Sequence, residues 1–155
     1  MGWLVLVTRL VVGGVWIVAG ALKIPDPASS VQAVRAYRLL PEAVVPTVGQ
    51  LLPVVEVVVG LALVVGLLTR TMALASAVLF VAFIIGIASA WARGLTIDCG
   101  CFGGGGYDPD AAEKYPWEIA RDAALLAGSL FVAAAGHRGR WALDHVLFRR
   151  TPLES

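Results

Sequence analysis

Apolar residues fall along this chain in four long stretches, at residues 3–22, 48–68, 72–91 and 117–135, separated by short polar or proline-rich breaks. Each is close to the roughly 20 helical residues that cross a hydrocarbon layer about 30 Å thick. A backbone in lipid must satisfy its own hydrogen bonds, so stretches of this length predict helices. The expected fold class is all-α: a polytopic membrane four-helix bundle over residues 1–136, with a basic cytoplasmic tail at residues 137–155. Ala19-Gly20-Ala21 imitates the cleavage site of a secretory leader. Arg9 interrupts the apolar run and no basic side chain precedes it, so a retained first helix is expected instead.

Between the first two stretches the pattern changes. Ile24-Pro25-Asp26-Pro27 stops the first helix, because proline cannot continue it and restrains its predecessor. Ser29 or Ser30 can then cap a short helix reaching Leu40, with Val31, Val34, Tyr37 and Leu40 on one apolar stripe and Arg35 and Arg38 off it. Such a helix either lies in the membrane interface as a lid over the bundle or packs as an ordinary loop helix. Small residues recur as Ala82, Gly86 and Ala90, as Ala120, Ala124 and Gly128, and as Gly13, Gly14 and Gly20. These stripes let helices approach closely, inside one bundle or across a homodimer face.

Composition identifies the solvent. The chain has 155 residues, 59% hydrophobic and 15% charged, with a mean hydropathy of +0.83. Soluble domains run nearer half apolar and a quarter charged, and a chain this short cannot bury such an excess in one core. A net charge of +1 without a basic–aromatic patch gives no reason to expect a nucleic-acid partner; the lipid bilayer is the expected one. Arg70 and the tail residues Arg138, Arg140, Arg149 and Arg150 fall at one end of the expected bundle. Lys23, Arg35, Arg38, Arg93 and Lys114 fall at the other. The basic tail favours both termini in the cytoplasm of a plasma-membrane protein, with the third loop extracytoplasmic. Trp141, Leu143, Val146, Leu147 and Phe148 suit a tail helix on the inner leaflet, or an anchor with no role beyond orientation.

That third loop holds the two cysteines of the chain, Cys99 and Cys101, in the run Ile97-Asp98-Cys99-Gly100-Cys101-Phe102 followed by Gly103–Gly106. On the outer face disulfides persist, and a Cys-Gly-Cys ring is small and strained, hence easily exchanged. Thiol–disulfide exchange, a structural disulfide and inert packed cysteines all remain open. No metal is expected, since a site needs about four ligands and His137 and His145 lie at the opposite end. Ionisable residues within spans are further candidates. Glu56 lies a turn beyond Pro53, which frees a carbonyl one turn earlier. It is expected to pair with Lys23 or Arg121 beneath the cysteine loop, where the cation would also favour a thiolate; a structural ion pair is the alternative. Asp122 follows Arg121 in the last span, just after the helix start at Pro116-Trp117. Arg9 is expected to snorkel to the cytoplasmic interface. Asp98 beside Cys99 opposes thiolate formation.

These residues carry a resemblance. Gly14–Lys23 (GVWIVAGALK) with Asp26-Pro27, then Tyr37-Arg38-Leu39-Leu40-Pro41, Leu52-Pro53 with Glu56 and Gly60, Asp98-Cys99-Gly100-Cys101-Phe102-Gly103, and Arg121-Asp122 resemble the methylamine-utilisation MauE family. That family sits within the DoxX-like four-helix membrane proteins, and the likeness runs from about Leu4 to Ala135. The resemblance implies a role in maturing methylamine dehydrogenase, through processing or disulfide formation in its disulfide-rich small subunit. It also implies a thioredoxin-fold or disulfide-rich partner at the outer face. Quinone-linked disulfide generators relay electrons through two cysteine pairs, whereas this chain has one. A quinone is therefore only a possible cofactor: either the single pair faces both it and the client, or a partner supplies the second pair. The alternatives are a non-catalytic scaffold for the partner and a small transporter using Glu56.

Overall fold

A computed structural model describes residues 2–136 together with Leu143 and Val146; the basic tail expected from the sequence otherwise lies outside the described residues. In chain order the elements are α1 (Gly2–Lys23), α2 (Pro27–Ala36), α3 (Val45–Val65), α4 (Thr69–Ala92), β1 (Ile97–Asp98), β2 (Gly106–Tyr107) and α5 (Ala111–Ala135). The fold is all-α and polytopic, with α1, α3 and α4 each long and apolar enough to cross a membrane. Helix α5 matches them in length but carries Glu118, Arg121 and Asp122 along the stretch that would cross. Pairings of α1 with α3, α3 with α4, α4 with α5 and α5 with α1 close the four into a ring. Val12, Trp16, Val59, Leu63, Phe80 and Val132 fill it. Leu4, Val11, Val54, Val58, Val78 and Ile85 point outward and are exposed, so apolar side chains cover both faces of these helices. Lipid is the solvent that such outer faces require.

Helices α1 and α3 approach closely at their glycines. A Cβ on Gly13 would stand 2.8 Å from the Gly60 carbonyl oxygen, and one on Gly60 would stand 2.7 Å from that of Gly13. Gly20 makes the same approach to the Pro53 carbonyl, at 2.6 Å, whereas Gly14 faces open space. The later stripes divide. Gly86 and Ala90 are buried, but Ala82, Ala120 and Ala124 are exposed, so only part of each small-residue row serves packing within the bundle.

A single donor chain ties three helices together. Trp16 Nε1 donates to Ser76 Oγ at 2.7 Å, Ser76 and Ser129 hydroxyls meet at 2.8 Å, and Ser129 Oγ donates to the Leu125 carbonyl at 3.0 Å. Hydrogen bonds between membrane helices average about 0.6 kcal/mol and reach about 1.7. Trp16→Phe, which removes the first donor, should therefore lower stability by about 1 kcal/mol. Thermal unfolding in one defined detergent would measure it; an unchanged midpoint would show the chain to be energetically idle.

Pro53 lies inside α3, so the Gly49 carbonyl has no helical N–H to accept. Ser30 Oγ of α2 fills that place, donating to Gly49 O at 2.6 Å. Helix α2 differs from expectation at both ends. Its cap is Asp26, whose side chain accepts from the Ser29 amide at 3.1 Å, because Pro27 at the first helical position is preset for this geometry. It stops at Ala36, since Arg38 takes a left-handed φ of 52°, leaving Leu39 and Leu40 exposed. Its buried residues are Ser30 and Ala33, and it packs on α3 and β2. Helix α5 also starts earlier than expected, at Ala111, and absorbs Pro116 in its second turn. The anchor is Tyr115, buried just before the proline and bonded to the preceding loop.

Candidate functional site

The loop between α4 and α5 is a small hairpin rather than a plain connector. Strand β1 pairs antiparallel with β2, Ile97 opposite Tyr107 and Asp98 opposite Gly106. Tyr115 of α5 fastens its base: the hydroxyl donates to Leu95 O at 2.6 Å and accepts from the Ile97 amide at 3.2 Å. Arg93, at the end of α4, bonds the Tyr37 carbonyl and so joins this end of α4 to the end of α2. Asp98 Oδ1 accepts the Gly100 amide at 2.8 Å, turning the chain sharply at the cysteines. Gly100 and Gly105 hold φ values of +66° and +132°, and a Cβ on either would meet the Ala33 methyl of α2 at 2.7 Å. The glycines are thus needed for a close approach under α2.

Cys99 and Cys101 are free thiols, each 7% exposed, packed with Ile87, Ala90, Ala111 and Tyr115. The Cys101 amide donates to Cys99 Sγ at 3.3 Å. Tyr37 Oη donates to the Cys99 carbonyl at 2.8 Å, and burial pushes this phenol well above its ordinary range, keeping it a donor. The Cys101 thiol is also pushed up, first by its hydrogen bond to the Cys99 side chain and then by burial. It therefore stays protonated at neutral pH. On the α5 side, the Glu118 carboxyl lies within hydrogen-bonding reach of the Cys99 side chain, and its Oε2 is buried with no hydrogen-bond partner. Arg121 donates to Asp122 Oδ1 at 2.9 and 3.0 Å and sets its guanidinium over the Phe102 ring at 4.8 Å. The charges of both Arg121 and Asp122 reach Cys101.

The expected site residues therefore separate into two groups. Cys99, Cys101, Arg121 and Asp122 come together at the hairpin. Glu56 pairs with Lys23 at 2.8 Å, both side chains buried, and Lys23 Nζ also lies 5.3 Å from the Phe83 ring centre. Arg121 is not the partner of Glu56, because it is committed to the adjacent Asp122. The two groups meet electrostatically where Lys23 faces Asp122. Arg9 is 1% exposed, on the same helix face as Val5, Val12 and Trp16. Its guanidinium thus lies inside the bundle instead of snorkelling outward. Glu118, Tyr37 and Tyr115 also reach the site, although the sequence pattern does not mark them as site residues. A helical-face argument would have found Glu118, since positions 115, 118 and 122 share one face of α5.

One recess borders the hairpin and a second lies between the end of α2 and helices α3 and α4. The first, of about 490 Å³, opens at the surface between α2 and β2, with Gln32, Arg35, Arg38, Ile97 and Tyr107 among its walls. The other, about 250 Å³, is apolar and lined by Tyr37, Leu40, Leu52, Leu79, Phe83 and Gly86. Among the described residues no three His, Cys, Asp or Glu side chains gather as metal ligands.

A family model described as "Methylamine utilisation protein MauE" matches residues 1–135. A curated relative from Paracoccus denitrificans, "Methylamine utilization protein MauE", is 44% identical over 73 residues, covering 46% of this chain and 39% of the relative. The matched stretch thus spans about two fifths of that relative's length. No solved structure matches the chain.

Proposed function

The chain belongs to the methylamine utilisation protein MauE family, and from that premise we propose that it is a membrane thiol–disulfide exchange protein working through Cys99 and Cys101. Its client is a disulfide-rich or thioredoxin-fold protein on the extracytoplasmic side. In the family setting this corresponds to maturation of the methylamine dehydrogenase small subunit. The observation that carries the reading is the paired geometry at the hairpin: two free sulfurs one residue apart, with a main-chain donor on one of them and a carboxyl beside it. Titratable groups whose protonation is perturbed by burial and by charged neighbours cluster at functional sites.

In the proposed arrangement α5 completes a fourth crossing of the plasma membrane, both termini are cytoplasmic and the hairpin faces out. Exposed Trp91, Tyr107 and Trp117 at the hairpin end support a position at the water–lipid boundary, where aromatic belts form. Because both sulfurs are buried, a client reaches them only once part of the loop beyond Phe102 has moved. The 490 Å³ recess, open and basic beside β2, is the surface on which such a client would begin to dock.

Replacing each cysteine singly with serine in cells, and trapping mixed disulfides by rapid acid quench, tests the proposal. One variant should accumulate a covalent complex with an extracytoplasmic protein, and both should lose maturation of that protein. If neither captures a partner and maturation continues, exchange is not the function. Burial of both sulfurs favours a second reading, in which a locked hairpin only scaffolds the partner. A reduction potential below about −300 mV would mark such a structural bond.

A further inference from the structure

We infer that Cys99 is the sulfur that bonds to the partner, that Cys101 is the resolving thiol, and that Glu118 takes the Cys99 proton. The inference rests on the exchange reading above and assigns roles within it. The first support is the 3.3 Å donor from the Cys101 amide to Cys99 Sγ. A main-chain N–H aimed at a sulfur stabilises its anion, and the described hydrogen bonds offer Cys101 Sγ no such donor. The second is the Glu118 carboxyl, which lies within hydrogen-bonding reach of the Cys99 side chain and keeps Oε2 buried without a partner. A carboxylate so placed can accept a proton from a thiol within its reach. The third is the polarity of the pair. Cys101 Sγ lies 3.9 Å from the Cys99 carbonyl and within hydrogen-bonding reach of the Cys99 side chain, so it is a donor toward Cys99. Protons are therefore handed from Cys101 toward Cys99 and from Cys99 toward Glu118.

The surrounding groups leave that order intact. The Tyr37 and Tyr115 hydroxyls already donate to the Cys99 and Leu95 carbonyls. On β1, Asp98 accepts the Gly100 amide. Further along α5, Arg121 is held by Asp122 and stacked on Phe102, and it draws on Cys101 more than on Cys99. Asp122 offsets that pull at Cys101. From α1, Lys23 is engaged by Glu56. Helix α4 packs Ile87 and Ala90 against the pair, neither of which titrates.

The exchange then balances. The Cys99 proton passes to Glu118, and the thiolate attacks one sulfur of a partner disulfide. The partner S–S bond breaks, the Cys99–partner bond forms, and the second partner sulfur departs as a thiolate. It takes the Cys101 proton. Cys101 attacks Cys99 Sγ, closing the Cys99–Cys101 bond and releasing the first partner sulfur, which takes the proton held by Glu118. Two electrons and two protons have moved from the pair to the partner. The same steps in reverse oxidise a dithiol partner.

The test uses the full chain in lipid nanodiscs with an aromatic disulfide, 5,5′-dithiobis(2-nitrobenzoate), as probe. Cys101→Ala should form the mixed disulfide at neutral pH about tenfold faster than Cys99→Ala. Adding Glu118→Gln, which keeps the side chain's shape, should slow Cys99 by about 10²-fold. The rate should return as pH rises and direct ionisation takes over. A purely structural role for Glu118 would leave the shape of that pH profile unchanged. If Cys99→Ala reacts faster than Cys101→Ala, the assignment is reversed and falls, while exchange stands. A Glu118→Gln rate that is unchanged or higher removes the proton-acceptor role. If neither single-cysteine chain reacts although both do once unfolded, the exchange reading itself is lost.

Discussion

Lys23→Met is expected to destabilise the bundle by about 3–5 kcal/mol, the usual cost of leaving one member of a buried ion pair alone. The pair is formed by Lys23 Nζ and Glu56 Oε1 at 2.8 Å, with Glu56 fully buried and its Oε2 lacking a hydrogen-bond partner. The two single substitutions should be unequal. Glu56 stands in the middle of α3 on a short side chain and has no route to water. Lys23 is the last residue of α1, and its long stem can carry the ammonium outward if Glu56 is removed. Glu56→Leu should therefore cost clearly less than Lys23→Met. The double variant Lys23→Met/Glu56→Leu should recover much of the loss, because exchanging a buried pair for packed apolar groups is often neutral. Denaturant titration in a fixed micelle would measure all three. Equal losses from the two single changes, or a double variant no better than the worse single one, would refute the account. The same comparison bears on transport: a coupling carboxylate would be required for function even in a stable double variant.

The second large effect is expected at Gly60. Its missing side chain lets α1 within reach of α3, and a Cβ would meet Gly13 O at 2.7 Å and the Ile17 amide nitrogen at 2.9 Å. Both are backbone atoms and cannot turn aside. Gly60→Val should cost at least the roughly 1–3 kcal/mol of ordinary overpacking. Gly14→Ala, whose Cβ meets nothing within 4 Å, should instead be neutral or stabilising by about 0.5–1 kcal/mol, as alanine is in a helix. Thermal unfolding of the two proteins side by side would decide. A Gly60 variant as stable as the parent would mean that the α1–α3 contact is looser than described.

Sequence pattern alone grouped Gly13, Gly14 and Gly20 together, and this contrast shows how far such a pattern reaches. Hydropathy located α1, α3 and α4 within a few residues, because lipid imposes length and apolarity directly. It also located Glu56 and Lys23 as candidates, because a charge inside an apolar stretch stands out. Pairing was harder: both Lys23 and Arg121 were eligible, and only three-dimensional placement gave Glu56 to the lysine. The cysteine hairpin was legible as a site but not as a structure. Its strands are two residues each and its base is fastened by Tyr115, eighteen positions away from Ile97. Glu118 was passed over because nothing beside it in sequence bears on sulfur; the fold of α5 against the hairpin brings it to Cys99. Asp26 displaced the serines as the cap of α2 because Pro27 already fixes where that helix begins.

The bond from Ser30 to the carbonyl left open by Pro53 has a bearing on biogenesis. An α3 that reaches the bilayer before α2 has seated carries an unsatisfied acceptor at one end. Seating α2 supplies the missing proton and, by the same movement, presses Ala33 onto the glycines that shape the sulfur-bearing turn. Completing the hydrogen bonding of α3 and shaping the cysteine turn thus depend on the same short helix, since α2 supplies both contacts.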